Sequence, residues 1–210
     1  MKITGLYFIT DSILTKKSII ADVEASIKAG TEIVQYREKD KPAREMLEEA
    51  FKIKKICEGK AIFLVNDRVD IALIVDADGV HLGQDDIPCV YAREILGKDK
   101  IIGITVHNVE EAIKAEEDGA NYLGVSPIFL TKTKKDARAP LGVEVIKEIK
   151  KVVSLPVIVA GGINLDNLAS VLSAGADGIA SVSAIISGGN VEEECRKFIK
   201  AISEFKSISQ

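Results

Sequence analysis

Apolar residues fall into short continuous runs separated by stretches where they recur every three or four positions. Residues 5–10 (GLYFIT) make the first run, and Ile19, Ile20, Val23 and Ile27 follow at helical spacing until Gly30. The alternation then repeats through the chain. Strand-like runs at 33–36, 61–65, 79–82, 101–105, 122–125, 156–160 and 178–182 are each followed by a helical pattern. Those patterns span 42–59, 69–75, 90–96, 109–117, 143–153, 165–174 and 191–203. Strands apolar at successive residues are buried on both faces, as in a parallel sheet covered by helices. Eight such pairs predict an α/β fold, a single-domain (β/α)8 TIM barrel over residues 1–210, with an open doubly wound sheet as the competing arrangement. Ala29-Gly30, Asp118-Gly119 and Ala174-Gly175 each separate a helix from the next strand, as a left-handed helix-ending glycine does.

One segment breaks the alternation. Between the sixth strand and its helix, residues 126–142 carry Thr131, Lys132, Thr133, Lys134, Lys135, Asp136 and Arg138 without helical or strand periodicity. Long loops in compact domains tend to be lids or binding segments, and these hydroxyls and cations suit an anionic ligand. In such a barrel the site belongs at the carboxyl ends of the strands. Those ends carry Thr10 and Asp11; Gln35, Arg37, Glu38 and Lys39; Asn66 and Asp67; His81, Gln84, Asp85 and Asp86; Thr105 and His107; Ser126; Gly161 and Gly162; and Ser181 and Ser183.

Composition narrows the chemistry. The 210 residues are 47% hydrophobic and 29% charged with a net charge of -4, which argues against broad nucleic-acid binding through phosphates. The apolar runs are too short to span a membrane, and the first residues lack a leader pattern, so a cytoplasmic protein is expected. Cys57, Cys89 and Cys195 are far apart and the two histidines are not at helical spacing, which leaves oxygen ligands for a hard cation.

Three constellations stand out. Gly161-Gly162 after the seventh strand, beside Ser183 after the eighth, lets backbone N–H groups approach a phosphate. Pleating separates Gln35, Arg37 and Lys39 from Tyr36 and Glu38, so Arg37 and Lys39 clamp one anion, a pairing suited to a diphosphate. Asp67 and Asp86 follow neighbouring strands and suit Mg2+, although a helix cap and a turn explain the same two residues.

With these residues in view, the chain resembles the thiamine phosphate synthase (thiamine-phosphate pyrophosphorylase) family. The matching segments are QYREK (35–39), VNDRVD (65–70), GVHLGQDD (79–86), TKTKKD (131–136), GGI (161–163) and the GADGIASVSAI run ending at Ile185. The resemblance implies a transferase of thiamine biosynthesis that joins a hydroxymethylpyrimidine diphosphate to a thiazole phosphate, releasing pyrophosphate by a dissociative, Mg2+-dependent route. It implies Asp67 and Asp86 as metal ligands, and Arg37, Lys39 and Lys134 as catalytic groups that neutralise the leaving diphosphate. Gln35, Asn66, Thr105, Thr131, Thr133, Gly162, Val182 and Ser183 complete the implied substrate shell, and Tyr36 and Glu38 are counted with the QYREK run. Ser126-Pro127, Leu130 and Thr105 depart from the family pattern, the last keeping a hydroxyl. The implied partners are two small molecules, with no nucleic acid and no membrane, and homo-oligomerisation stays open. A TenI-like thiazole tautomerase using His107, or a non-catalytic phosphate binder, are the alternatives.

Overall fold

The computed structural model describes residues 3–131 and 139–208. Its strands are β1 (Gly5–Ile9), β2 (Ile33–Tyr36), β3 (Ile62–Asn66), β4 (Gly79–Leu82), β5 (Ile101–Val106), β6 (Tyr122–Val125), β7 (Val157–Ala160) and β8 (Gly178–Ala180). They pair in parallel in chain order, and β8 closes on β1 through Gly5–Gly178 and Leu6–Ile179, making the closed barrel that the periodicity predicts. The covering helices are α1 (Ile19–Ala29), α2 (Ala43–Cys57), α3 (Val69–Ile74), α4 (Cys89–Leu96), α5 (Val109–Glu117), α6 (Glu144–Val152) and α7 (Leu168–Ser173). After β8 come a four-residue helix, α8 (Ser183–Ile186), and the long α9 (Val191–Ile208). The open doubly wound sheet is excluded by the closure.

The pleat sorts side chains into two cores. Leu6, Phe8, Val34, Phe63, Val65, Val80, Ile102, Leu123 and Ile179 point outward and are buried against the helices. Their neighbours Tyr7, Ile33, Ile62, Leu64, Tyr122, Ile158 and Ala180 point into the barrel and fill it. Each fully buried apolar side chain contributes about 1.5–3 kcal/mol relative to exposure, so closure of both cores drives the fold. Gly30, Gly119 and Gly175 end α1, α5 and α7 at φ 102°, 90° and 100°, the left-handed geometry their sequence context predicts.

Two of the boundaries that differ from the pattern bear on the site. α7 starts at Leu168 rather than Leu165, because Asn164 and Asn167 bond each other's loop instead of helix: Asn164 Oδ1 accepts from Asp166 N and Asn167 N, and Asn167 Oδ1 accepts from Asn164 N. β8 stops at Ala180 rather than running to residue 182, and Ser183 opens the short helix α8. Among the described residues, no helix is long and apolar enough to cross a membrane.

Candidate active site

A cavity with two connected lobes opens at the carboxyl ends of the strands. The inner lobe reaches into the barrel against Tyr7, Ile9, Gln35, Tyr122, Ile158 and Ala180, and is bounded by Gly161, Gly162, Val182 and Ser183. The outer lobe lies over β3 and β4 and is lined by Lys39, Asp67, Gln84, Asp85, Asp86 and His107. Arg37, Asn66, His81, Thr105, Ser126 and Thr131 line both lobes.

Charge gathers in the outer lobe. Asp67 adopts φ 61°, a left-handed conformation uncommon for a residue with a side chain, while its N–H donates to His81 O at 2.9 Å. Its Oδ2 is ion-paired with Lys39 Nζ. Asp86 Oδ2 accepts from Gly83 N at 2.6 Å. Burial, and after it the adjacent Asp67 carboxylate, holds the Asp86 carboxyl above its ordinary value, as like charges in one place require. Among the described residues no three His, Cys, Asp or Glu side chains converge into a cage. A pair of carboxylates from neighbouring strand ends suits an oxygen-ligated cation such as Mg2+, which usually keeps several waters.

Arg37 is anchored from behind. Its backbone N–H donates to Thr10 Oγ1 at 2.8 Å, and that hydroxyl donates to Arg37 O at 3.1 Å. Asp11, 5% exposed, sits 3.8 Å from the guanidinium and accepts from the N–H groups of Ile13 and Leu14. The end of β1 thus holds both the backbone and the head group of Arg37 at the junction of the lobes.

The inner lobe is mostly apolar but crossed by a line of hydrogen bonds. Gln35 Nε2 donates to Tyr7 Oη at 2.8 Å, and Tyr7 Oη lies 2.8 Å from Tyr122 Oη. His81 Nδ1 is 2.8 Å from Tyr122 Oη and Nε2 is 2.9 Å from Thr105 Oγ1. The His81 and Tyr122 rings stack with centroids 5.5 Å apart.

At the glycine loop after β7, Gly161 and Gly162 have φ 92° and 66°. A Cβ on Gly161 would stand 2.6 Å from Pro127 Cα, and one on Gly162 would stand 2.5 Å from Leu130 O. The glycines therefore admit the segment after β6, which continues the β6–β7 pairing through Ile128 N to Ala160 O and Phe129 N to Gly161 O. The base of that segment is closed by Leu141 N to Pro127 O and Gly142 N to Ile128 O, and its Ser126–Pro127 peptide is cis. Asn167 Nδ2 donates to Gly162 O and Ser181 Oγ to Ile163 O, pinning the loop to α7 and β8.

Two expected substrate contacts are not brought to the cavity. Tyr36 points outward and donates to Glu49 Oε2 on α2 at 2.8 Å; burial, then the Glu49 bond, pushes its phenol upward. Glu38 folds onto its own loop and accepts from the N–H groups of Lys39 and Asp40. Burial opposes its ionisation, yet the Asp40 N–H, the Ser12 hydroxyl and the Lys39 N–H together hold its carboxyl below the ordinary value. Both follow from the period-two pleat, which gives the cavity only alternate residues of the QYREK run. Thr133 and Lys134 lie outside the described residues.

Tyr7, Tyr122 and Asn167 join the site without having stood out in the sequence. The tyrosines sit inside apolar strand runs and read as core, while Asn167 falls inside the 165–174 helical pattern. Polar atoms on inward strand positions are the signal that marks the first two.

Residues 6–185 match a family model described as thiamine monophosphate synthase. A thiamine-phosphate synthase of Methanosarcina mazei is 52% identical over 206 residues, covering 98% of this chain and 86% of the relative. One from Chloroflexus aurantiacus is 47% identical over 200 residues, covering 94% and 92%. Among solved structures, a thiamine phosphate pyrophosphorylase from Pyrococcus furiosus superposes with TM-score 0.87 at 39% identity, covering 96% of both chains. With a closed eight-stranded barrel and a site at the carboxyl ends of its strands, the chain belongs to the thiamine-phosphate synthase family of enzymes.

Proposed function

We propose that this chain couples 4-amino-2-methyl-5-hydroxymethylpyrimidine diphosphate with 4-methyl-5-(2-hydroxyethyl)thiazole phosphate, giving thiamine phosphate and pyrophosphate in the presence of Mg2+. One observation carries the reading: a mostly apolar lobe and a lobe holding the Asp67 and Asp86 carboxylates and Lys39 meet at Arg37. A flat ring bearing a diphosphate needs that division.

In this reading Asp67 and Asp86 hold the Mg2+, which supplies charge neutralisation for the diphosphate when bound. Arg37 grips diphosphate oxygens, oriented by Thr10 and Asp11. Lys39 moves from the Asp67 carboxylate to the diphosphate, and Thr131, Thr133 and Lys134 complete its shell. The carbon–oxygen bond to the diphosphate breaks with its electron pair leaving on oxygen. The thiazole nitrogen lone pair then forms the new carbon–nitrogen bond to the pyrimidine methylene. No side chain serves as nucleophile, so the protein's work is positioning and charge. Gln35, Asn66 and Thr105 orient the pyrimidine, while Gly162, Val182 and Ser183 receive the thiazole phosphate. A TenI-like isomerisation of a thiazole has no use for the Asp67–Asp86 pair.

Mixing both substrates with the full chain, with and without Mg2+, and following thiamine phosphate by mass spectrometry tests the reading. Product that forms only with Mg2+ supports it; no product under either condition, with a thiazole isomer interconverted instead, overturns it.

A further inference from the structure

We infer that Gln35, Tyr7, Tyr122 and His81 form a hydrogen-bond chain of fixed polarity that presents the Thr105 hydroxyl to the cavity as a donor. Tyr7, Tyr122 and His81 are then positioning residues. The polarity follows from counting protons. The Gln35 amide nitrogen, 2.8 Å from Tyr7 Oη, has no lone pair to offer, so it donates and the phenol accepts. Tyr7 has one proton left to give, and its neighbour is Tyr122 Oη at 2.8 Å. Tyr122 in turn gives its proton to His81 Nδ1 at 2.8 Å. A neutral imidazole that accepts at Nδ1 carries its proton on Nε2, which faces Thr105 Oγ1 at 2.9 Å. Thr105 therefore accepts from His81, and its own proton is released toward the cavity, where Thr105 lines both lobes.

Two further observations show that the barrel accommodates this chain. Tyr7 is 2% exposed and Tyr122 0%, and burial raises both phenols, so both stay neutral and each has one proton to pass on. Inward positions on the two neighbouring strands are glycines whose absent side chains make the room. A Cβ on Gly103 would stand 2.0 Å from Tyr122 Cζ, and one on Gly124 would stand 2.7 Å from His81 Cε1. Glycine weakens a strand interior, and here it marks a close approach.

The reverse polarity has a different chemical meaning. With a carbonyl oxygen facing Tyr7, every proton turns round, His81 carries its proton on Nδ1, and Thr105 offers an acceptor to the cavity. The direction set by the Gln35 amide nitrogen instead selects a ligand atom with a free lone pair, such as an unprotonated ring nitrogen. That the ligand is a heteroaromatic ring rests on the coupling reaction proposed above; the polarity of the chain does not.

The test needs no substrate. The sequence holds two histidines, His81 and His107, so nitrogen-15 NMR of the full chain resolves each imidazole. The expected result is a neutral His81 protonated at Nε2 in the unmodified protein. Gln35→Glu, nearly isosteric, puts an acceptor before Tyr7 and should move the proton to Nδ1. Tyr122→Phe removes the hydroxyl before Nδ1 and should leave a mixture of both forms. A His81 protonated at Nδ1 or at both nitrogens in the unmodified protein overturns the inference. So does a His81 signal unmoved by Tyr122→Phe. Failure of the coupling assay alongside the expected tautomer would instead count against the reaction and leave the chain standing.

Discussion

The outer and inner lobes of the cavity solve different recognition problems with different parts of the fold. In the outer lobe, Lys39 is exposed and borrowed by Asp67, and Asp86 is kept above its ordinary value by burial and by that same Asp67. These groups sit at strand ends and on the loops beyond, where the proposed diphosphate would meet them. In the inner lobe, Tyr7, Tyr122 and His81 stand on strands inside the barrel, with partners already satisfied before any ligand arrives. In the proposed reading, charge recognition falls to residues at strand ends and on the loops beyond them, and shape and hydrogen-bond recognition to residues inside the barrel.

Substitutions that affect one lobe and spare the other test that division. The largest effect is expected at the carboxylates: Asp67→Ala or Asp86→Ala should lower Mg2+-dependent coupling about 10³-fold, as loss of a metal that contributes several kcal/mol implies. Initial rates across a Mg2+ titration check it, with thermal unfolding confirming that the barrel survives. Arg37→Ala should cost about 10²-fold in kcat/KM, and Arg37→Lys should recover only part, because lysine lacks the bidentate fork. In the inner lobe, Tyr122→Phe should cost the pyrimidine substrate about tenfold in kcat/KM by leaving His81 Nδ1 and the Tyr7 hydroxyl mismatched. The smallest effect belongs to Asn167→Ala, which frees Gly162 O and should raise KM for the thiazole phosphate about fivefold, the worth of one neutral hydrogen bond. Steady-state kinetics with each substrate varied in turn separates the last two.

The lobes also differ in how far they can be read from the chain. The barrel is legible because eight apolar runs alternate with eight helical stripes, and that period survives any detail of packing. The outer lobe is nearly as legible, since Arg37, Lys39, Asp67 and Asp86 are charges placed where strands end. Its geometry is less so: the left-handed turn at Asp67 has no glycine to announce it, and Tyr36 and Glu38 are in the right run but on the wrong side of the pleat. The inner lobe hides because a tyrosine within GLYFI or YLGV looks like core, and its hydroxyl acquires meaning only when closure sets β1, β4, β5 and β6 around one space. α8 is too short to show a helical period, and the glycines after β7 read as a phosphate loop, although a side chain on either would meet the segment after β6.

Calorimetry on the two halves of the diphosphate substrate tests the division most directly. Inorganic pyrophosphate with Mg2+ probes the outer lobe, and the unphosphorylated aminopyrimidine alcohol probes the inner one. Asp86→Ala should weaken pyrophosphate at least about tenfold and leave the alcohol within about twofold, with Tyr122→Phe doing the reverse, as independent sites require. Equal losses of both ligands in both variants would contradict the account.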